Sequence, residues 1–98
     1  MIWFPPGTTV VYVVFDYAEM ENDEITVRVY DKVGNVLFEQ VEAYTGSGTE
    51  SIEVWGPEGG AFPGGRYATN LYVFVFPFKT IIWEVGRWHV YLPLVLRG

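Results

Sequence analysis

The stretch Ile25-Thr26-Val27-Arg28-Val29-Tyr30-Asp31-Lys32-Val33-Gly34-Asn35 decides how the whole chain is read. Ile25, Val27 and Val29 alternate with Thr26, Arg28 and Tyr30, the period of a strand with one face inward and one outward. Asp31 to Asn35 then supplies turn chemistry, with Gly34 or Asn35 free to take the positive φ that a tight reversal needs. The sequence therefore predicts a β-hairpin here, with Val36 to Tyr44 returning as the partner strand.

Working outward, period two persists and period 3.6 is nowhere found, so no helix is expected. Upstream, Thr9 to Tyr17 sets Val11, Val13, Phe15 and Tyr17 on one face and Val10, Tyr12, Val14 and Asp16 on the other. Downstream, Thr45 to Thr49 reads as a flexible connection. Gly46-Ser47-Gly48 within it is taken as a hairpin loop and not a phosphate cradle, because no Lys and no helix follow it. Ser51 to Trp55 reads as a strand with Ile52 and Val54 inward. Gly56 to Gly65 holds five glycines and two prolines and reads as the longest loop. Arg66 to Phe76 is the longest expected strand, with a turn at Pro77 and a return strand from Lys79 to Val85. Short strands separated by turn signals about every ten residues predict an all-β, antiparallel two-sheet sandwich of about seven to eight strands. Residues 1–88 are assigned to that domain and residues 89–98 to an apolar C-terminal strand, packed on it or exchanged with a neighbour.

Composition narrows the function classes. The chain has 98 residues, enough for one packed core. Twelve acidic side chains against six basic ones give a net charge of −6, which disfavours nucleic acid and anionic membrane as partners. No cysteine is present, which removes disulfides, thiolate metal sites and a thiol nucleophile. No apolar run reaches the roughly 18–20 residues that span a bilayer as a helix. The N-terminus Met1-Ile2-Trp3-Phe4-Pro5-Pro6 lacks the basic and apolar regions of a secretory signal.

The segment Phe62-Pro63-Gly64-Gly65-Arg66-Tyr67 is a Pro-Gly turn feeding a strand that opens on tyrosine. It resembles the corner before the F strand of immunoglobulin-like and fibronectin type III-like sandwiches. With Phe4 to Thr9, Val13 to Tyr17, Tyr30 to Asn35 and Trp83 to Gly86, the chain is similar to bacterial immunoglobulin-like modules over about residues 4–86. The tail Val90 to Arg97 resembles segments that follow such domains in envelope proteins. There is no cysteine pair and no Trp in the strand from Ile25, so the likeness is to the fibronectin-like relatives. It implies a module of secreted or cell-surface proteins.

Candidate chemistry is sparse. Asp16, Glu19, Glu21, Asp23 and Glu24 place five carboxylates in nine positions, a weak candidate for Ca²⁺ that does not follow EF-hand spacing. No other cofactor is expected, and no catalytic or metal-ligating residues are assigned. His89 is the one histidine, with no adjacent base-and-nucleophile arrangement, and no enzyme activity is expected.

The aromatic residues are the anomaly. On the strand from Arg66, the face opposite the expected core carries Tyr72, Phe74 and Phe76, with Phe78 beyond the turn. That face of a sandwich is normally wet and polar, so these rings must be covered or used in contact. The tail adds Trp88, Tyr91, Leu92, Leu94 and Leu96, too apolar for a free end. These eight residues, Phe78 aside, are the candidate interaction surface. The expected role is a non-catalytic structural or interaction module of an extracellular or cell-surface assembly. Its expected partner is protein, as a homo-oligomer or fibre built through apolar edge or terminal strands. The alternative is a carbohydrate-binding module stacking sugars on exposed rings, with Tyr44, Trp55, Tyr72 and Trp88 as candidates.

Overall fold

A computed structural model describes residues 2–86. Five strands account for most of them: β1 (Ile2–Phe4), β2 (Val10–Asp31), β3 (Val36–Trp55), β4 (Gly65–Val73) and β5 (Phe76–Val85). They form one sheet in the order β1-β5-β4-β2-β3, antiparallel except for the parallel pairing of β1 with β5. The only helical turn among the described residues is a short 3-10 segment, Pro57–Gly59.

The all-β expectation holds, but the strand count differs. Instead of seven or eight strands in two sheets, the described residues build one hydrogen-bonded sheet of five. The expected breaks at Asp16–Glu24 and Thr45–Thr49 do not interrupt pairing; β2 and β3 run through both stretches as a single ladder with register shifts between Tyr17 and Met20 and between Glu21 and Asp23. Glu19 and Asn22 take positive φ there, and Gly46 opposite them has φ +78°. Local side chains satisfy the amides that the bulges free: Glu19 N–H donates to Ser47 Oγ (3.1 Å), and Glu21 N–H to the Asp23 carboxylate (3.0 Å). A bulge raises twist and bends the strand without ending it. Gly46-Ser47-Gly48 is therefore strand, not a hairpin loop.

The bend lets the outer arm of this ribbon, Val10–Tyr17 with Gly48–Trp55, lie back over β4 and β5. Val11, Ile52 and Val54 from the arm share one buried cluster with Val27, Val29, Phe62, Tyr67, Trp83 and Val85. Of the positions read as inward, Val27, Val29, Ile52 and Val54 belong to this cluster, and Ile25 is buried outside it. Trp83 is its centre. Its ring stacks on Tyr67 (centroids 4.5 Å, 17°) and meets Phe4 and Phe62 edge-on. The Tyr67 hydroxyl donates to the Pro63 carbonyl, tying the start of β4 to the preceding turn.

The hairpin at Asp31–Asn35 forms as its residues dictate. Gly34 has φ +90°, and Asp31 exchanges backbone hydrogen bonds with Asn35 and Gly34. The Asp31 carboxylate accepts from the amides of Val33 and Asn35 and from Asn35 Nδ2 at 2.9–3.0 Å. These bonds, the Asn35 amide foremost, hold its pKa below the ordinary 3.8. A depressed folded pKa contributes stability above the unfolded value and loses it as pH falls through the folded one. Asp31→Asn should therefore lower the urea midpoint at neutral pH, and the gap to wild type should close as pH drops below about 3.8. A gap that stays constant across a series from about pH 7 to about pH 2 would show that the carboxylate is not the cause.

Candidate interaction surface

β4 ends at Val73, three residues short of the expected strand. The turn is Phe74-Val75, not Pro77, and Val73 pairs directly with Phe76. Neither turn residue is a usual turn former, which is why the reversal was not legible. Phe74 takes φ +57°, an uncommon conformation for a bulky side chain, and is held there by its amide donating to the Glu24 carbonyl (2.9 Å). The result is an apolar finger: Phe74 is 51% exposed, Val75 81%, Phe76 70% and Phe78 73%. Val75, expected on the core face, is thus the most exposed of the four.

Tyr72, Phe74 and Phe76 do not form one row. Tyr72 is half-buried on the open face of the sheet, where its hydroxyl lies 3.4 Å from that of Tyr30 and accepts from Asn70 Nδ2 (3.0 Å). The Arg28 guanidinium sits 5.2 Å from its ring centroid and pairs with Glu39. The Tyr30 hydroxyl, then Asn70, favours the charged form and lowers the Tyr72 pKa; hydrogen bonding to Glu39 raises that of Arg28. Tyr72 is a member of a polar network and is not free to act as a sticky ring. Trp88, Tyr91, Leu92, Leu94 and Leu96, with His89 and the boundary at residue 88, lie outside the described residues.

The finger adjoins the acidic bend. Glu24, whose carbonyl holds Phe74, ends a run with Glu19, Glu21 and Asp23, while Lys79 stands on β5 just past Phe78. The carboxylates are not gathered about a point. Asp16 accepts from Thr49 Oγ1 (2.6 Å) and Asp23 from the Glu21 amide, and no group of three acidic or imidazole side chains among the described residues is placed to hold a metal ion.

At the other end of β4 lies a hollow that the sequence did not reveal. It is a half-open depression of about 270 Å³ lined by Val33, Leu37, Pro57, Pro63 and Tyr67, together with Asp31, Lys32 and Arg66. Its walls come from the β2–β3 hairpin, the 3-10 turn and the corner before β4. Each was readable as a turn, but nothing in a linear pattern says that the three adjoin.

The two sheet edges differ. β3 carries Glu39, Glu42, Glu50 and Glu53 along its length, charges of the kind that keep edges from pairing. On β5, no described residue pairs with Phe76 to Ile82 on the side away from β4, and only Lys79 there is charged. Of the rings expected to bind sugar, Tyr44 is buried (7% exposed) against Phe15 and Tyr17, with its hydroxyl between Glu42 and Glu50. Burial, reinforced by those carboxylates, pushes its pKa up. Trp55 is exposed and donates Nε1–H to Glu53. The three described candidates, Tyr44, Trp55 and Tyr72, thus do not make a common platform, and Trp88 lies outside the described residues.

No protein-family model matches the chain, and no curated protein and no solved structure matches it either. No helix among the described residues is long and apolar enough to cross a membrane.

Proposed function

We propose that this chain is a non-catalytic interaction module that associates with copies of itself, working in an extracellular or cell-surface assembly. The observation that carries this reading is the finger Phe74-Val75-Phe76 with Phe78, an uninterrupted aromatic and aliphatic projection at the end of a well-packed sheet. Exposed apolar patches of this kind mark contact sites more often than they persist in water. The positive φ at Phe74 costs about 1–2 kcal/mol, strain that tends to be retained where a side chain is needed for contact. The adjoining edge of β5, unpaired among the described residues over Phe76 to Ile82, offers backbone to a partner strand. The immunoglobulin-like resemblance, which the Tyr67–Pro63 bond supports, is the ground for the extracellular setting. Among the described residues the sugar-binding reading retains Trp55, and it ranks below self-association.

The test is association as a function of concentration, measured by light scattering and sedimentation. Wild-type protein should pass from monomer to larger species, and Phe76→Ser/Phe78→Ser should stay monomeric with an unchanged melting curve, since both side chains are mostly in water. A wild-type chain that remains monomeric at every concentration, or a double variant that assembles equally well, refutes the proposal.

A further inference from the structure

We infer that self-association is head to tail: the aromatic finger of one copy enters the hollow at the opposite end of the next. This inference rests on the self-association reading above and specifies its geometry. β4 runs from Gly65, at the hollow, to Val73, at the base of the finger, so eight steps of about 3.3 Å set the two features about 26 Å apart at opposite ends of the sheet.

The two ends are complementary in three respects. In shape, one projects a two-residue turn and the other recedes. In polarity, the finger presents Phe74, Val75, Phe76 and Phe78, and the hollow is lined by Val33, Leu37, Pro57 and Pro63. Its 270 Å³ is ample for an aromatic ring, given that an apolar cavity of roughly 150 Å³ admits benzene. In charge, the finger is tied to Glu24, whose carbonyl accepts from the Phe74 amide and which ends the acidic run Glu19, Glu21 and Asp23 in the sequence, with Lys79 following Phe78, and the hollow is lined in part by Lys32 and Arg66. Asp31 also borders the hollow, but its carboxylate is taken up by Val33 and Asn35. Arg28–Glu39 is the only ion pair among the described residues; Lys32 makes none there, and Arg66 stands opposite Glu84 in the β4–β5 register without an ion-pair contact to it. A chain of net charge −6 would repel its copies in most orientations; this one sets its few exposed cations against its densest carboxylates.

The occupant is a second copy because both halves of the contact are on the same chain. Since they are different surfaces at opposite ends, the contact is heterologous: it does not close by two-fold symmetry, and it propagates copy to copy into a ring if the rotation closes and into an open fibre if it does not.

The decisive experiment uses two variants of the full chain, each blocked at one end. Phe76→Ser/Phe78→Ser removes the finger, and Lys32→Glu/Arg66→Glu reverses the margin of the hollow at two exposed positions. Melting curves matching wild type establish that both fold. The charge variant should raise the midpoint concentration of assembly by about tenfold or more. An equimolar mixture of the two, each alone monomeric, should give a discrete dimer and nothing larger, because only one intact finger and one intact hollow remain per pair. If wild-type protein does not assemble, the underlying reading fails. If it assembles and the charge variant assembles equally well, or if the mixture yields no dimer, self-association stands and the head-to-tail geometry is wrong.

Discussion

Trp83→Ala should remove a large share of the chain's stability and lower its urea midpoint more than any other single truncation of the core. Trp83 is 3% exposed, stacked on Tyr67 and met edge-on by Phe4 and Phe62, so three aromatic residues, from β1, the long loop and β4, converge on it. Its Nε1–H donates to Thr69 Oγ1 at 2.9 Å inside the core. Removing a buried indole costs about 3–5 kcal/mol, the transfer term plus a cavity that rigid rings cannot close. A domain of this size holds only about 5–15 kcal/mol in total. Far-UV circular dichroism against urea reads the effect directly. Trp83→Phe separates the contributions: it keeps a ring in place but strands Thr69, and should cost about 1–3 kcal/mol. A Trp83→Ala midpoint equal to wild type would show that the core is not centred on this residue.

The second large effect is expected at Gly56, where β3 gives way to the 3-10 turn. Its backbone is ordinary (φ −62°, ψ 165°), so conformational freedom is not the issue. Space is. A Cβ there would lie 2.1 Å from the Gly60 carbonyl oxygen and 3.1 Å from the Ala61 carbonyl carbon, both main-chain atoms. The loop cannot retreat cheaply, because Gly56 N–H donates to the Thr9 carbonyl and Gly59 N–H returns to Gly56. Gly56→Ala should destabilise by about 1–3 kcal/mol or more. Gly59→Ala, three residues on, meets open space at φ +74° and should cost only about 1–2 kcal/mol, all of it backbone strain. Thermal melts of the two variants give the order. If Gly59→Ala proves the worse, the close approach is not as described. Gly56→Ala also shifts Pro57, a wall of the hollow, so it should weaken self-association beyond its effect on folding.

The alternation Ile25–Tyr30, the turn at Asp31–Asn35 and the inward pair Ile52/Val54 were legible because a strand writes its buried face at period two; the strand at Val11 and Val13, apolar on both faces, left its buried side open. The acidic stretch and Thr45–Thr49 misled for the same reason. A bulge breaks the alternation just as a loop does, and only the partner strand distinguishes the two. Glu19, Asn22 and Gly46 keep β2 and β3 paired where the pattern stops.

The candidate site divides likewise. An excess of aromatic residues around Tyr72–Phe78 was visible in the residues alone. That Tyr72 is drawn into a network with Tyr30, Asn70 and Arg28 while Phe74, Phe76 and Phe78 project was not. The turn at Phe74-Val75 depends on the Glu24 carbonyl, fifty residues away, and carries no turn-forming residue of its own.

By itself, then, the amino-acid order determined an all-β chain, its main inward faces and its apolar surplus, since each follows from local period and composition. The tertiary structure alone decided that the ribbon folds over as one sheet, that the surplus gathers into a finger, and that three separate turns enclose a basic-rimmed hollow opposite it. Those outcomes depend on contacts between segments remote in sequence, and no local pattern records which remote backbone a residue will meet.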